Sequence, residues 1–391
     1  MDSTPTKLWN FYFISAWFAN FLMGISFYLL IPTLPFYLVD KFAANKELVG
    51  IIMSCYVIAA LLIRPFSGYI LDTFDRKPVY IAAFVLFVAS TAGYLAVASV
   101  TFMLILRFWH GLTWGVITTA GNTLSIDVVP AEQRGEGIGF YGLSLTLSMA
   151  IGPMVGLMMY DVYDFNVIFY TSLVIGLLGL VFATLIKVPK RVHVIHPPIS
   201  LDRFLLIKGL ITGVNLIFIS LTYGMILSFS AMYGKESGVT NAGLFFTLLA
   251  VGMAISRLLT SKMFDKGKLK LAVGLGSLAL ILGFAIFTVC HSPILYFLAA
   301  FVMGIGYGIL SPAFQVMFIH LGTHNQRGTA NSTFLTAFDV GVGGGMLLAG
   351  TLATHWSLTV AFGVSTVAAF ISLMFFLKIA YPYYFKHKIN Q

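Results

Sequence analysis

Two side chains of this sequence stand where charge is costly. Arg107 lies within Leu104-Ile-Leu-Arg-Phe-Trp109, and Asp339 lies between Phe334-Leu-Thr-Ala-Phe338 and Val340-Gly-Val-Gly-Gly-Gly345. A charge at such depth in an apolar helix normally faces a bundle interior or a water-filled cavity. Taking a carboxylate out of water favours its protonated form. Asp339 is therefore a group that can bind and release a proton. The competing reading is an acid that only pairs with a neighbour or caps local backbone. Arg107 has parallel alternatives: it faces a bundle interior or a water-filled cavity, or it pairs with backbone carbonyls near the outer interface. No enzyme constellation accompanies them. GxxxxGK[ST], HExxH and CxxC are all absent, so ATP-driven pumping is not expected. His193 and His196 are too sparse for a metal site, and His110 and His291 are isolated and read as structural. Cys55 and Cys290 sit in apolar runs, which offers neither a disulfide framework nor a zinc site. No metal and no cofactor are expected.

The elements that position these residues are two copies of one design. Residues 50–156 align with residues 243–349 at a constant offset of 193, without a gap. Arg64 falls on Arg257, Asp72 on Asp265, Gly111 and Gly115 on Gly304 and Gly308, Gln133-Arg134-Gly135 on Gln326-Arg327-Gly328, and Gly152 on Gly345. Arg107 falls on Ala300 and Asp339 on Thr146. Both deep charges are thus additions to one copy, which favours a functional reading over a framework one. Apolar chains built of parallel halves are a common plan for secondary transporters.

Composition points the same way. The chain is 59% hydrophobic and 9% charged, with mean hydropathy +0.93; soluble domains carry about 25% charged residues. Apolar runs near the ~20 residues that cross a bilayer fall at 11–38, 47–71, 79–98, 101–125, 137–160, 165–187, 205–232, 240–264, 271–290, 293–319, 330–353 and 357–380. The expected fold is an all-α membrane protein: twelve transmembrane helices in two six-helix bundles, 1–187 and 205–391. A linker at 188–204 contains Pro189, Pro197 and Pro198, which deny it a continuous helix. The start, MDSTPTKLWN, lacks the features of a signal peptide, so the first run is read as a retained span. With the amino terminus in the cytoplasm, 17 of the 23 Lys and Arg fall on cytoplasmic segments and 3 on the opposite side. That asymmetry follows the positive-inside rule and accounts for the +9 formal charge. No basic face is interleaved with exposed aromatics, so nucleic acid is not an expected partner. The expected location is the inner or plasma membrane, with both termini and the linker cytoplasmic.

Arg64 and Arg257 each precede their Asp by eight residues, roughly 12 Å into the helix. They either snorkel and pair structurally or meet substrate. Asp72 and Arg76 lie at one end of the second helix. They are either a solvated turn or a latch. As a latch, Asp72 sits against the positive end of the eleventh helix and Arg76 also reaches Asp127. Asp265 repeats the arrangement against the fifth helix. Asn20, Tyr28, Asn122, Asn215, Tyr223 and Gln315 are candidates to line a central cavity. Trp109, Trp114, Phe218 and Phe314 are candidates for its aromatic walls. Helix-to-helix hydrogen bonding and packing are the alternative for each. Together they describe an amphipathic cavity with little fixed charge.

The stretch Gly68-Tyr-Ile-Leu-Asp72-Thr-Phe-Asp75-Arg76-Lys77 resembles the signature loop of the major facilitator superfamily, with Thr73 and Asp75 departing from it. Arg107-Phe-Trp-His110-Gly111-Leu-Thr-Trp-Gly115 is similar to its arginine motif, with His110 in place of the usual Gln. Gly152-Pro153-Met-Val-Gly156 resembles the antiporter motif of the drug–proton antiporter branch, the multidrug and arabinose efflux permease-like proteins; Ser148 and Leu157 depart from it. Gly24 followed by Pro32-Thr-Leu-Pro35 is another exporter pattern of that branch. The resemblance implies that Gly68, Asp72, Arg76, Asp127 and Asp265 stabilise an outward-open state. It also implies that Arg107 serves proton coupling. Gly152 and Pro153 allow close helix approach and kink the fifth helix; with Gly156 they are either a flexing seam between halves or tight packing alone. The expected function is export of a small amphipathic organic solute in exchange for protons, by a monomer in a lipid bilayer. The alternatives are an importer, a sugar, siderophore or lipid carrier, or a non-transporting membrane sensor.

The charge asymmetry generates a topological prediction. Cysteines placed at Lys7, His193 and Lys388 should resist an impermeant thiol reagent applied to intact cells. Labelling of any of them from outside would reject the orientation.

Overall fold

A backbone segment in lipid must satisfy its own N–H and C=O groups, so long apolar runs become helices. The computed structural model describes residues 7–130, 133–188, 205–265, 268–289, 292–323 and 326–389. The expected linker, 188–204, lies outside that set from residue 189 onward. The side chains of Asp72, Asp265, Arg134 and Arg327 also lie outside the described set. Every regular element among the described residues is helical. They are α1 (Phe11–Leu30), α2 (Leu34–Phe42), α3 (Lys46–Thr73), α4 (Arg76–Gly93), α5 (Val100–Asp127), α6 (Arg134–Tyr160) and α7 (Phe165–Leu185). The second set is α8 (Leu210–Glu236), α9 (Leu244–Asp265), α10 (Leu269–Thr288), α11 (Pro293–Leu321), α12 (Arg327–His355), α13 (Leu358–Phe375) and α14 (Tyr381–His387). Eleven described stretches are long and apolar enough to cross a membrane. The 22-residue α9 supplies the twelfth helix.

Local signals set the helix ends. Ser99 caps α5 by accepting from the Phe102 N–H at 3.2 Å, and Ser292 caps α11 from the Leu295 N–H at 3.3 Å. Asp164 and Ser357 cap α7 and α13 in the same way. These pairs stand at the repeat offset, so each half starts its fourth and sixth spans with the same device, which contributes about 1 kcal/mol per cap. The first span is broken rather than continuous. Proline lacks the N–H that an α-helix needs, and Pro32 and Pro35 flank the break. There Thr33 Oγ1 donates to the Leu29 and Leu30 carbonyls at 3.2 and 3.1 Å.

The chain forms two compact units, Met1–Tyr37 with Ile58–Pro198, and Leu38–Val57 with Ile199–Gln391. In the first, α1 packs on α6 and α7, and α4 on α5 and α7; in the second, α8 packs on α12 and α13, and α10 on α11 and α13. The contacts repeat because the same small residues recur. A Cβ on Gly156 would meet the Leu29 carbonyl oxygen, and one on Gly152 would lie 2.9 Å from Tyr28 Cβ. A Cβ on Gly345, the repeat partner of Gly152, would meet the Leu221 carbonyl oxygen. The opening turns of α3 join the second unit by the same means. A Cβ on Gly50 would lie 2.6 Å from the Met346 carbonyl oxygen and 3.1 Å from Gly350 Cα. The Glu47 N–H donates to Thr354 Oγ1 at 2.7 Å, and Lys46 Nζ pairs with Glu236 at 2.6 Å.

Gly156→Leu forces a side chain against the α1 backbone. It should destabilise the protein by about 1–3 kcal/mol or more, read as a lower thermal midpoint in detergent. Gly68→Ala is the contrast. A Cβ there meets nothing within 4 Å, so its midpoint should stay within about 0.5 kcal/mol of the parent.

Candidate functional site

Arg107 and His110 are three residues apart in α5 and therefore share a helix face. Both are fully buried. Helix α4 ends at Gly93 and passes into a 3₁₀ turn, Tyr94–Ala96, which brings Tyr94 to that face. An arginine can only donate, and Arg107 Nη1 reaches Tyr94 Oη at 3.4 Å. Tyr94 Oη lies 2.9 Å from His110 Nδ1. The order that serves every group is Arg107 donating to Tyr94 and Tyr94 donating to Nδ1, with the imidazole proton on Nε2. His110 Nε2 has no hydrogen-bond partner among the described residues. Aromatic rings enclose the group. Phe27 stacks on Trp114 at 3.9 Å, and Phe27 and Phe87 lie 5.3 and 4.8 Å from the His110 ring. His110 is thus not the isolated residue expected from the sequence, because the turn after α4 supplies its partner. Tyr94 carries no motif of its own. The signal that could have found it is the i, i+3 spacing of Arg107 and His110, with a tyrosine closing the preceding helix.

Asp339 lies in α12 and is only half-buried, in contrast to Arg107. Its neighbour Phe338 stacks on Phe334 and sits 5.9 Å from the Tyr223 ring. Tyr223 meets Tyr307 edge-on at 5.0 Å, and Tyr307 Oη shares a 2.6 Å hydrogen bond with Thr222 Oγ1. Tyr56 and Arg257 both act electrostatically on Tyr223. Arg257 therefore stands beside a tyrosine cluster; Arg64, its repeat partner, is half-buried in α3.

Arg76 opens α4 and Asp127 closes α5. Arg76 Nη1 donates to both Asp127 oxygens at 2.7 and 2.6 Å, with side chains 9% and 16% exposed. A charge-assisted pair withdrawn from water to this degree is stronger than a surface pair. Gly68 stands open, and the Asp72 and Asp265 side chains are outside the described set.

The six cavity candidates divide. Asn20 is buried between α1 and α6, donating to Ser144 Oγ at 2.7 Å and to the Tyr141 carbonyl at 3.4 Å. Asn215 is buried between α8 and α13, donating to Ser372 Oγ at 2.8 Å and to its carbonyl at 2.9 Å. Both amides are taken up by helix seams. Tyr28 and Tyr223 are buried among aromatic rings. Asn122 is exposed, with Nδ2 on the Thr118 carbonyl at 3.0 Å, and Gln315 is half-buried, with Nε2 on Asn331 Oδ1 at 3.0 Å. Of the aromatic candidates, Trp114 and Phe314 are buried, Phe218 is half-buried and Trp109 is 45% exposed. Among the described residues no group of three His, Cys, Asp or Glu is placed to hold a metal ion.

Among the described residues, eleven membrane-spanning stretches and the apolar α9, in two repeated units with a buried arginine cluster, fit a membrane transporter. The chain belongs to the Major Facilitator Superfamily, whose family model matches residues 16–341 and again 212–388. It is an integral membrane protein and a transporter of small molecules, not an enzyme. It is 25% identical over 323 residues to the multi-drug resistance efflux pump PmrA of Streptococcus pneumoniae, covering 77% of this chain and 79% of that one. It is 22% identical over 330 residues to the staphylopine export protein of Staphylococcus aureus, covering 79% of this chain and 81% of that one. Its fold matches that of a bacterial homologue of the human lysosomal transporter Spinster, in the inward-facing and occupied conformation. The TM-score is 0.80 at 13% identity, over 97% of this chain and 98% of that one.

The Arg76–Asp127 pair can be weighed directly. Asp127→Asn leaves a partly buried guanidinium without its counter-charge and should cost about 1–3 kcal/mol in thermal or denaturant unfolding. Adding Arg76→Gln should recover part of that loss, because residues in contact are not additive. Strict additivity would show that the pair contributes nothing.

Proposed function

We propose that this transporter exports a small amphipathic organic solute in exchange for protons, by alternating access. The observation that carries the reading is the Arg107–Tyr94–His110 cluster: a fully buried arginine in an apolar span, present in one half of a repeated chain and replaced by Ala300 in the other. A charge kept at that cost by one half alone is not required by the shared framework. The similarity to PmrA, named a multi-drug resistance efflux pump, and to the staphylopine export protein supports the outward direction.

Asp339 is the proposed proton carrier. It is half-buried in an apolar helix beside Phe338. Arg107 is the proposed electrostatic partner in coupling. Protonation from the outer side would be followed by proton release as substrate arrives from the cytoplasm. One charge moved through 100 mV supplies about 2.3 kcal/mol. Tyr28, Asn122, Tyr223 and Gln315, with the buried Trp114 and Phe314, are the proposed contacts for a weakly polar solute. Asn20 and Asn215 would hold the helices that carry them. Gly152, Pro153 and Gly156 are the proposed flexing seam, and Asp72 and Asp265 are the proposed latches, with Arg76 and Asp127 clamping the first. The proposed setting is the plasma membrane, with a monomer whose termini are cytoplasmic.

Purified protein in proteoliposomes, with a lipophilic dye as substrate, tests the mechanism. Asp339→Asn should abolish uphill, pH-gradient-driven flux while preserving substrate binding and counterflow, because the amide imitates the protonated acid. Arg107→Ala should impair driven flux and alter its pH dependence. An Asp339→Asn protein that still concentrates substrate with the parental pH dependence would show that the proton travels elsewhere.

A further inference from the structure

The last span does not stop where an ordinary helix would. After α13 the backbone makes a π-helical turn, Phe376–Ala380, and then continues as α14. A π turn inserts an extra residue into the helical phase. The side chains beyond it are thereby re-aimed. Tyr384 turns inward, 5% exposed, and its hydroxyl meets His320 Nδ1 of α11 at 2.7 Å. The Ile389 N–H donates to the His320 carbonyl at 2.8 Å. The tail is therefore tied to the bundle and is a built feature of the second unit. Outward, α14 shows Phe385 at 61% exposure, and the π turn shows Ile379 at 47%.

Basic groups alternate with rings across this corner. Lys270 of α10 sits 5.4 Å over the Tyr381 ring. Tyr381 lies 6.2 Å from the Phe385 ring, and Lys388 sits 4.8 Å over Phe385. Lys386 is exposed on the same turn. Cation–π contacts hold ammonium groups in place without neutralising them. Asp265, five residues before Lys270, has its side chain outside the described set. From residue 266 to the end, Asp339 is the one acidic residue. Among the described residues no carboxylate pairs with Lys270, Lys386 or Lys388.

We propose that this corner, Lys270 on Tyr381 and Lys388 on Phe385 with the exposed Lys386 beside them, binds the headgroup of an anionic phospholipid. The fixed ammonium groups suit its phosphate. The exposed Phe385 and Ile379 suit the start of its acyl chains, where aromatic side chains settle at a membrane interface. A soluble phosphate would use only the first half of that surface. The positive-inside rule alone asks for lysines on this side and does not ask that two of them, one from α10 and one just past α14, be pinned to neighbouring rings of α14.

The test is native mass spectrometry of the full-length protein from micelles with equimolar phosphatidylglycerol and phosphatidylethanolamine. The parent should retain phosphatidylglycerol in preference. Each interfacial lysine contributes roughly fivefold to anionic lipid binding, so the triple variant K270Q/K386Q/K388Q should lose at least about tenfold of that preference. The variant K41Q/K235Q, altered outside the corner, should keep it. Soluble glycerol phosphate should fail to displace the lipid. A triple variant with the parental preference, a parent with no preference, or displacement by glycerol phosphate at lipid-equivalent concentration would each overturn the proposal. Circular dichroism and gel filtration of the triple variant separate loss of the site from loss of fold.

Discussion

Apolar helices in lipid gain nothing by hiding from water, since lipid is as apolar as their own side chains. Their association rests on close van der Waals contact and on polar groups that find partners. The rest of this structure depends on that constraint. It explains why 37 of the residues are glycine, and why those at 152, 156 and 345 sit where a single added carbon would strike a neighbouring backbone. It explains why Asn20 and Asn215 end in helix seams with serine partners instead of facing open space. A buried amide in such a seam adds an interhelical hydrogen bond and leaves little room for slippage.

Against that background the arginine cluster is an expense that the framework does not require. Serines and threonines in these spans commonly return their hydroxyls to the carbonyl one turn back, as Thr118, Thr119 and Thr123 do along α5. Arg107 reaches beyond its own helix, to the Tyr94 hydroxyl at 3.4 Å, and that tyrosine has an acceptor of its own in His110.

Much of the fold was legible because repetition constrains interpretation. An offset that aligns Gly152 with Gly345 also aligns the caps Ser99 with Ser292 and Asp164 with Ser357, so each half checks the other. The break between α1 and α2 and the extension through the π turn lie outside the aligned repeat, and neither was read from the sequence. The join between Arg76 and Asp127 was legible because both residues end helices, where short loops leave few geometries. The seating of Leu38–Val57 with the second unit was not, since Gly50 and Gly350 are 300 residues apart and neither belongs to a motif. Local propensity says where a helix starts and stops; it is silent on which of several apolar faces meets another.

The same limit explains why some candidate residues stand out in the sequence and others do not. Arg107 and Asp339 announce themselves by cost, because a charge in an apolar run is visible without a structure. Tyr94, Tyr307 and Thr222 do not, because a neutral hydroxyl in a membrane helix is cheap when it can bond to its own backbone. Only geometry distinguishes a hydroxyl bonded one turn back from one that reaches another helix. Thr222 does both: its Oγ1 lies 2.7 Å from the Ile219 carbonyl and 2.6 Å from Tyr307 Oη. It ties α8 to α11, and Tyr307 carries that tie to the Tyr223 ring, which meets Phe338. Asp339 follows Phe338 in α12, on a helix held by neutral rings and hydroxyls. In a bilayer, the position of a charge is set largely by groups that carry none.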